Sequence, residues 1–163
     1  MLLEEGADTE QNDVDGCTPL LLAVRQNNVD MVTLLLSRGA SVDASINGWT
    51  ALYFAAKQGN DPMVATLLQF GTLIDPKLDA GWTPLLIAID NDCDSIVAQL
   101  LDAGARTDSK LSDGATPLIV AAGKRENDSI LRALLSHGAD PNEKDNDGDT
   151  VLLTRIGSFR REG

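Results

Sequence analysis

The fold is decided by two short stretches of sequence, Gly114-Ala115-Thr116-Pro117-Leu118 and Leu134-Leu135-Ser136-His137-Gly138-Ala139-Asp140. In the first stretch, the threonine hydroxyl can cap the free N–H groups of a helix, and proline suits the first helical position. In the second, a leucine pair precedes Gly138, and glycine readily adopts the left-handed conformation that ends a helix. Together the two stretches predict a pair of short helices bounded by sharp turns.

Both stretches recur along the chain with one period. The glycine that follows a leucine pair recurs at steps of 33, 32, 33 and 34 residues, and the threonine at steps of 32, 33, 33 and 34. These glycines are Gly6, Gly39, Gly71, Gly104 and Gly138. These threonines are Thr18, Thr50, Thr83, Thr116 and Thr150. Self-similarity at a fixed period of this length is typical of a repeat protein.

Each unit carries the same two apolar patterns. Small residues recur in the first helix, where they let neighbouring helices approach closely: Ala23, Ala55, Ala88 and Ala121. In the second helix, apolar pairs four residues apart have the spacing of one helical face, as in Met31-Val32 and Leu35-Leu36. The segment between a glycine and the next threonine is rich in Gly, Asp and Asn, which predicts an extended turn or hairpin.

This pattern resembles the ankyrin-repeat family in its Thr-Pro-Leu openings and its Leu-Leu-X-X-Gly-Ala endings, from Leu2 to about Ile156. The resemblance implies one all-α ankyrin-repeat solenoid over residues 1–163, in which helix–turn–helix units are joined by short β-hairpin turns. We expect four full repeats at about 13–44, 45–77, 78–110 and 111–144, partial repeats at 1–12 and 145–157, and a tail at 158–163.

Three departures from the family pattern stand out. The histidine that usually follows Thr-Pro-Leu is replaced by Leu21, Tyr53, Leu86, Ile119 and Leu153. The turn between Gly39 and Thr50 is one residue shorter than the others, and the fourth repeat has one extra residue between its helices, near residues 123–128. No polar capping repeat is evident at either end, so we infer a fragment of a longer protein or degenerate half-repeats that act as caps.

Composition excludes several classes of function. The net charge is −12, which disfavours nucleic acid and anionic membranes, because both are bound largely through Lys and Arg. No stretch is long and apolar enough to span a bilayer. Two cysteines and one histidine are too few for a zinc site or a disulfide scaffold. We therefore expect no cofactor, no metal and a monomeric domain in the cytoplasm, with the nucleus as the alternative.

Candidate catalytic and metal-binding motifs are weak. The run Asp145-Asn146-Asp147-Gly148-Asp149 resembles the start of a calcium loop, but Thr150 and Ile156 stand where such a loop needs Gly and Glu. The run from Asp90 to Asp94 fails the same test. His137 has no second histidine to support it as a general base. Phosphate-binding and nucleophile motifs are missing, so we expect no enzymatic activity.

Trp49 and Trp82 follow the turn glycine, at positions that in the family lie near the hairpin tips and the concave face. Two interpretations stay open. Each tryptophan can pack against its own hairpin and the next one, or it can anchor a partner, since tryptophan is enriched in interface hot spots. One residue can do both, and Tyr53 is expected to extend the same patch.

The resemblance implies protein–protein recognition by the hairpin tips and the exposed face of the first helices. By repeat phase the partner-binding residues are Asp15, Arg25, Asn47, Trp49, Tyr53, Lys57, Asp79, Trp82, Asp90, Asp113, Lys124 and Arg125. Further positions in the same phase are Cys17, Gln26, Gln58, Asn91, Ala115, Asp147 and Asp149. Because acidic residues dominate, we expect a basic protein partner. Two alternatives remain: a spacer that binds nothing, or a substrate of an asparaginyl hydroxylase at Asn142.

Overall fold

The structure, a computed structural model, describes residues 8–124 and 127–160, with side chains described as far as residue 157. The predicted helix end at residues 2–7 lies outside these ranges. Within them the chain forms nine α-helices and one short hairpin. The helices are α1 Pro19–Arg25, α2 Val29–Ser37, α3 Ala51–Gln58, α4 Asp61–Gln69, α5 Pro84–Asp90, α6 Asp94–Asp102, α7 Pro117–Ala122, α8 Asp128–Ser136 and α9 Val151–Arg160.

The helices pack as two parallel rows. The first helices of successive units, α1, α3, α5, α7 and α9, contact one another in order. The second helices, α2, α4, α6 and α8, form the other row, and each lies against the first helix of its own unit. Contacts therefore run between neighbouring units, which confirms the predicted all-α solenoid.

The local signals for helix ends act as predicted. The hydroxyls of Thr18, Thr50, Thr83 and Thr116 each accept a hydrogen bond from the backbone N–H three residues later, at 3.3–3.4 Å. After the second helices the chain turns at Gly39, Gly71, Gly104 and Gly138, whose φ angles are 90°, 77°, 94° and 86°. Threonine thus starts the first helix of each full unit, and glycine ends the second.

The core is built from aliphatic side chains between the two rows. Leu85 is completely buried, and so is its equivalent Leu52 in the preceding unit. The equivalent Leu118 in the following unit is 1% exposed. The small residues Ala55, Ala88 and Ala121 are fully buried where the first helices meet, so close helix packing suits a sequence in which only 4% of the residues are aromatic.

The shorter turn before Thr50 forms the hairpin of the structure. Strand β1 Ser45–Ile46 pairs antiparallel with β2 Trp49–Thr50. Asn47 and Gly48, the two residues between the strands, have φ angles of 51° and 81°. A two-residue turn with both central φ angles positive suits the twist of paired strands, and Asn-Gly is its preferred sequence. The missing residue therefore changes the type of turn.

The other inter-repeat turns have five residues, and those at 78–82, 111–115 and 145–149 are stacked. In each, the first residue's N–H donates to the fifth residue's carbonyl, as from Leu78 to Trp82 at 2.9 Å and from Leu111 to Ala115 at 3.0 Å. Successive turns are linked by backbone bonds of 2.9 Å from Ser112 N–H to the Ala80 carbonyl and from Asn146 N–H to the Asp113 carbonyl. Within the described ranges, the hairpin at 47–48 has no such bond to a neighbouring turn.

The last helix is longer than predicted. We expected the last partial repeat to end at residue 157 and a tail to follow from residue 158, but α9 continues to Arg160. In the first three units the first helix is followed by a residue with positive φ at the ninth position after the capping threonine: Asn27, Gly59 and Asp92. In the last unit that position is Phe159, a residue type that rarely adopts positive φ, so the helix is not ended there.

Candidate functional site: the tryptophan groove

A groove of about 380 Å³ opens between the second and third repeats, on the side of the turns and first helices. Its residues come from the β1–β2 hairpin, the end of α3, the turn before α5, and α5 itself. They are Asn47, Trp49, Lys57, Leu78, Asp79, Trp82, Ile87, Asp90 and Asn91, and we call this site the tryptophan groove. Its size falls in the range of roughly 300–1,000 Å³ typical of ligand pockets.

Trp49 is half-buried and held by its own repeat. Its ring centroid lies 5.7 Å from that of Tyr53 and 5.6 Å from that of Phe54, both in tilted arrangements. The ammonium nitrogen of Lys57 lies 4.7 Å from the Trp49 ring centroid, which is within range of a cation–π interaction. Three side chains of α3 therefore fix this indole and leave part of it facing the groove, while its packing against its own hairpin and the next one stays a prediction.

Tyr53 does not extend the exposed patch, and our expectation that it contacts a partner was wrong. The side chain is fully buried, because its hydroxyl reaches across to the turn of the next repeat. It accepts a hydrogen bond from Leu78 N–H at 3.1 Å and bonds the Trp82 carbonyl. Burial raises the pKa of Tyr53 to about 12, although the Leu78 N–H lowers it, so the hydroxyl keeps its proton and can donate.

Tyr53 thereby holds the wall of the groove. Leu78 and Trp82, whose backbone groups it binds, both line the groove. A second carbonyl, that of Pro76, lies 3.1 Å from the same hydroxyl. The residue that replaces the usual histidine in this repeat is therefore a positioning residue: it ties the turn of the third repeat to the first helix of the second.

The charged side chains at the rim of the groove differ in whether they have a partner. Asp90 is 3.6 Å from the Lys124 ammonium, which also lies 3.2 Å from Asp92 and bonds the Asp90 carbonyl. Lys57 is engaged by the Trp49 ring. Asp79 is exposed, and no Lys or Arg in the described part of the chain forms an ion pair with it. Asp79 is therefore the rim carboxylate that is open to a cation from outside.

Six of the predicted partner-binding residues converge in the groove: Asn47, Trp49, Lys57, Asp79, Trp82 and Asp90. Asp15, Arg25, Asp113 and Lys124 lie outside it, and Arg125 is outside the described residues. Arg25 is exposed but places its guanidinium 3.6 Å from the Cys17 sulfur. Two further expectations were wrong, because Cys17 and Ala115 are buried and offer no surface to a partner.

Repeat phase alone missed Leu78 and Ile87. Both are half-buried and apolar, and both line the groove. A signal for Ile87 was present, because the fourth residue after each capping threonine is apolar in all four full repeats: Leu22, Phe54, Ile87 and Val120. All four are half-buried, so they form an apolar stripe along the first helices.

The acidic run at 145–149 is a turn whose first carboxylate is used internally. One oxygen of Asp145 accepts the N–H groups of Asp147 at 3.0 Å and Asp149 at 2.8 Å. Asp13 binds Asp15 and Cys17 in the same way, at 2.9 and 2.8 Å. Within the described residues, no group of three or more His, Cys, Asp or Glu side chains could hold a metal ion.

Calcium at millimolar concentration is accordingly expected to change the melting temperature only slightly. The physical reason is screening of a chain with a net charge of −12, since no carboxylate set with the required ligands is assembled. Thermal melting followed by circular dichroism, with magnesium at equal ionic strength as the control, measures this. A saturable, calcium-specific rise of several degrees that Asp147→Asn removes would show that the run is a metal site.

The one histidine and the two cysteines of the chain lie outside the tryptophan groove. His137 is exposed, with one ring nitrogen 2.8 Å from the Ala133 carbonyl and the other 3.3 Å from an Asp102 oxygen. It therefore connects the ends of α6 and α8. Cys17 and Cys93 are both free, and they lie in different repeats. The described part of the chain also contains no helix with the length and apolar character needed to cross a bilayer.

Comparison with known proteins agrees with the geometry. A search of curated proteins found no match to the chain. A family model for ankyrin repeats matches it in three copies, over residues 1–78, 43–111 and 72–145. These matches overlap and together cover most of the chain, including both repeats that form the groove. The chain belongs to the ankyrin-repeat family.

Proposed function

We propose that this chain binds a partner protein through its hairpin tips and first helices, with the tryptophan groove at the centre of the interface. Ankyrin repeats are generally protein–protein interaction modules rather than enzymes. The observation that carries the proposal is the convergence of Trp49 and Trp82, from two adjacent repeats, on one groove of about 380 Å³. Tryptophan in a partly desolvated pocket is the kind of residue that dominates binding energy.

The architecture of the groove supports a binding role over a purely structural one. Trp49 needs only its own repeat to be fixed, and Tyr53 holds the opposite wall in place. The site is thus preorganised, and a partner would not have to pay for ordering it. Polar groups at the rim surround an apolar floor, as in other protein interfaces. The two free thiols suit a reducing compartment, and we place the protein in the cytoplasm or nucleus.

Trp82→Ala is expected to weaken partner binding by about 2 kcal/mol or more, roughly thirtyfold in Kd, mainly through faster dissociation. The variant removes an apolar wall of the groove and leaves the Trp82 carbonyl that Tyr53 binds. Affinity capture from the source cells with the wild-type chain identifies partners, and surface plasmon resonance with each partner gives both rate constants. Trp49→Ala and the double variant extend the series.

Phe70→Ala is the matched control, because Phe70 is an aromatic residue that is 39% exposed and does not line the groove. We expect it to bind as the wild type does. Circular dichroism and thermal melting confirm that every variant is folded. If folded Trp49→Ala and Trp82→Ala chains retain every partner at wild-type affinity, the groove is not the binding site. A chain that captures no partner at all would instead be a spacer.

The second candidate function is that of a substrate for asparagine hydroxylation, because the structure leaves Asn142 accessible. Asn142 is exposed in the turn after Gly138, where its backbone N–H binds the Asp140 carboxylate at 2.9 Å. The equivalent residues in the preceding repeats are aspartates, and Asp43 binds the next repeat through Thr72 and Leu73. Hydroxylation would appear in mass spectra of Asn142-containing peptides from the source cells, and its absence there would dismiss this candidate.

A further inference from the structure

Three exposed carboxylates continue the line of the groove across the following repeats. They are Asp79, Asp113 and Asp147, on the turns at 78–82, 111–115 and 145–149, and we call them the acidic ridge. The turns are joined by the bonds from Ser112 N–H to the Ala80 carbonyl and from Asn146 N–H to the Asp113 carbonyl, both 2.9 Å. The ridge is therefore held in a fixed order, with the tryptophan groove at one end.

The ridge carboxylates are exposed to solvent, and although one oxygen of Asp113 accepts the Ala115 N–H at 3.0 Å, each carboxylate can meet a cation from outside. Within the described ranges none of the three forms an ion pair with Lys or Arg, whereas Asp90 inside the groove is engaged by Lys124. Lys77, Lys110 and Lys144 precede the three turns and limit the local excess of negative charge, and Lys110 is itself paired with Glu143 at 2.8 Å. The whole chain is nonetheless strongly acidic, at −12, so its field favours a cationic partner.

The spacing of the ridge matches an extended peptide. Packed helices lie about 8–10 Å apart, which sets the distance between equivalent points of adjacent repeats. An extended chain advances about 3.3 Å per residue. Asp113 and Asp147 both hold the third place in their turns, so an extended peptide passes from one to the other in about three residues, while Asp79 holds the second place of its turn and is offset by one position.

We propose that the occupant of the groove is an extended basic segment of a partner protein, with one large apolar side chain between Trp49 and Trp82 and with Arg or Lys at intervals of about three residues beyond it. The apolar side chain lies against Leu78 and Ile87, and the cationic side chains meet the acidic ridge. This inference rests on the proposed function, because it names the kind of partner segment that the same groove accepts.

The chain carries its own probe for this test. Its two tryptophans both line the groove, so intrinsic fluorescence reports directly on occupancy. The ligands are two synthetic peptides built on Ser and Gly. Each contains one leucine and two arginines, with about three residues between successive ones of these. In one peptide the arginines follow the leucine, and in the other they precede it. We expect a saturable fluorescence change with at least one of them. Replacing both arginines with serine should weaken that binding about tenfold at low salt.

The double variant Asp79→Asn/Asp113→Asn should cause a similar loss and flatten the salt dependence between about 0.01 and 0.15 M, where screening becomes strong. Its control, Asp30→Asn/Asp102→Asn, has the same net charge and removes two exposed carboxylates from the second helices. We expect that control to bind like the wild type. If both double variants lose the same peptide affinity, the effect comes from overall charge and the proposal is overturned. It is also overturned if the peptide binds equally well after its arginines are replaced with serine.

Failure of this inference and failure of the proposed function give different results. If neither peptide changes the fluorescence up to millimolar concentration, while captured partners are lost on Trp82→Ala, the groove binds proteins but not segments of this kind. If Trp82→Ala keeps every partner, the proposed function fails whatever the peptides do. If Trp82→Ala loses captured partners, the peptides bind and the ridge variant weakens that binding, both stand.

Discussion

Leu85→Ala is expected to lower the free energy of unfolding by about 2–5 kcal/mol, as truncation of a buried leucine does in other cores. Leu85 is fully buried in α5, the first helix of a central repeat, and α5 packs against α3, α6 and α7. Its loss therefore leaves a cavity among four helices that cannot easily close, because Leu52 and Leu118 are held in their own units. Urea unfolding followed by circular dichroism gives the value.

Leu73→Ala is the matched control, with the same atoms removed from a side chain that is 62% exposed. We expect it to change the stability by about 0.5 kcal/mol or less, as surface substitutions do. The difference between the two variants then measures burial rather than the change of residue type. A loss below about 1 kcal/mol for Leu85→Ala would contradict its place between neighbouring repeats.

The parts of the fold that could be predicted from sequence depend on short-range rules. Thr83 caps α5 through a bond to the N–H three residues later, and Gly104 ends the second helix with a φ angle of 94°. Both effects need only a few neighbouring residues, and the period of the chain repeats them. The positions of Trp49 and Trp82 on one side of the molecule followed from repeat phase in the same way.

The parts that could not be predicted depend on contacts between repeats. Tyr53 occupies the phase of an exposed patch, but it is buried because its hydroxyl binds Leu78 N–H and the Trp82 carbonyl in the next turn. No local pattern contains that contact, since the partners are 25 and 29 residues away. Leu78 was missed for the same reason: its role appears only when two turns are placed side by side.

The length of one turn explains why the groove lies between the second and third repeats. The turns at 78–82, 111–115 and 145–149 have five residues and bond to their neighbours, so they close against each other. The hairpin at Asn47-Gly48 lacks that bond. Leu78 approaches it instead, and a Cβ built on Gly48 would lie 3.1 Å from the Leu78 side chain. One residue fewer thus replaces a backbone contact with an apolar recess that Trp49 and Trp82 flank.

Because the turns are stacked, we expect Gly81→Ala to lower the free energy of unfolding by a similarly large amount. Gly81 has a φ angle of 84°, where any other residue is strained by about 1–2 kcal/mol. A Cβ there would also overlap the carbonyl oxygen of Lys110 and lie 3.2 Å from Leu111 Cα, both in the backbone where the next turn begins. Relieving that overlap requires the turns to separate, which costs about 1–3 kcal/mol more. The total expected loss is about 2–5 kcal/mol.

Gly16→Ala separates the two causes. Gly16 occupies the same place in the first turn with a φ angle of 82°, but a Cβ there would meet nothing within 4 Å. It should therefore show the backbone strain alone, about 1–2 kcal/mol in urea unfolding. If both variants lose the same stability, the turns are not in close contact at Gly81, and the fixed order of the acidic ridge loses its basis. A larger loss for Gly81→Ala shows that the space between stacked turns admits no side chain, so glycine is required there for contact between repeats as well as for its φ angle.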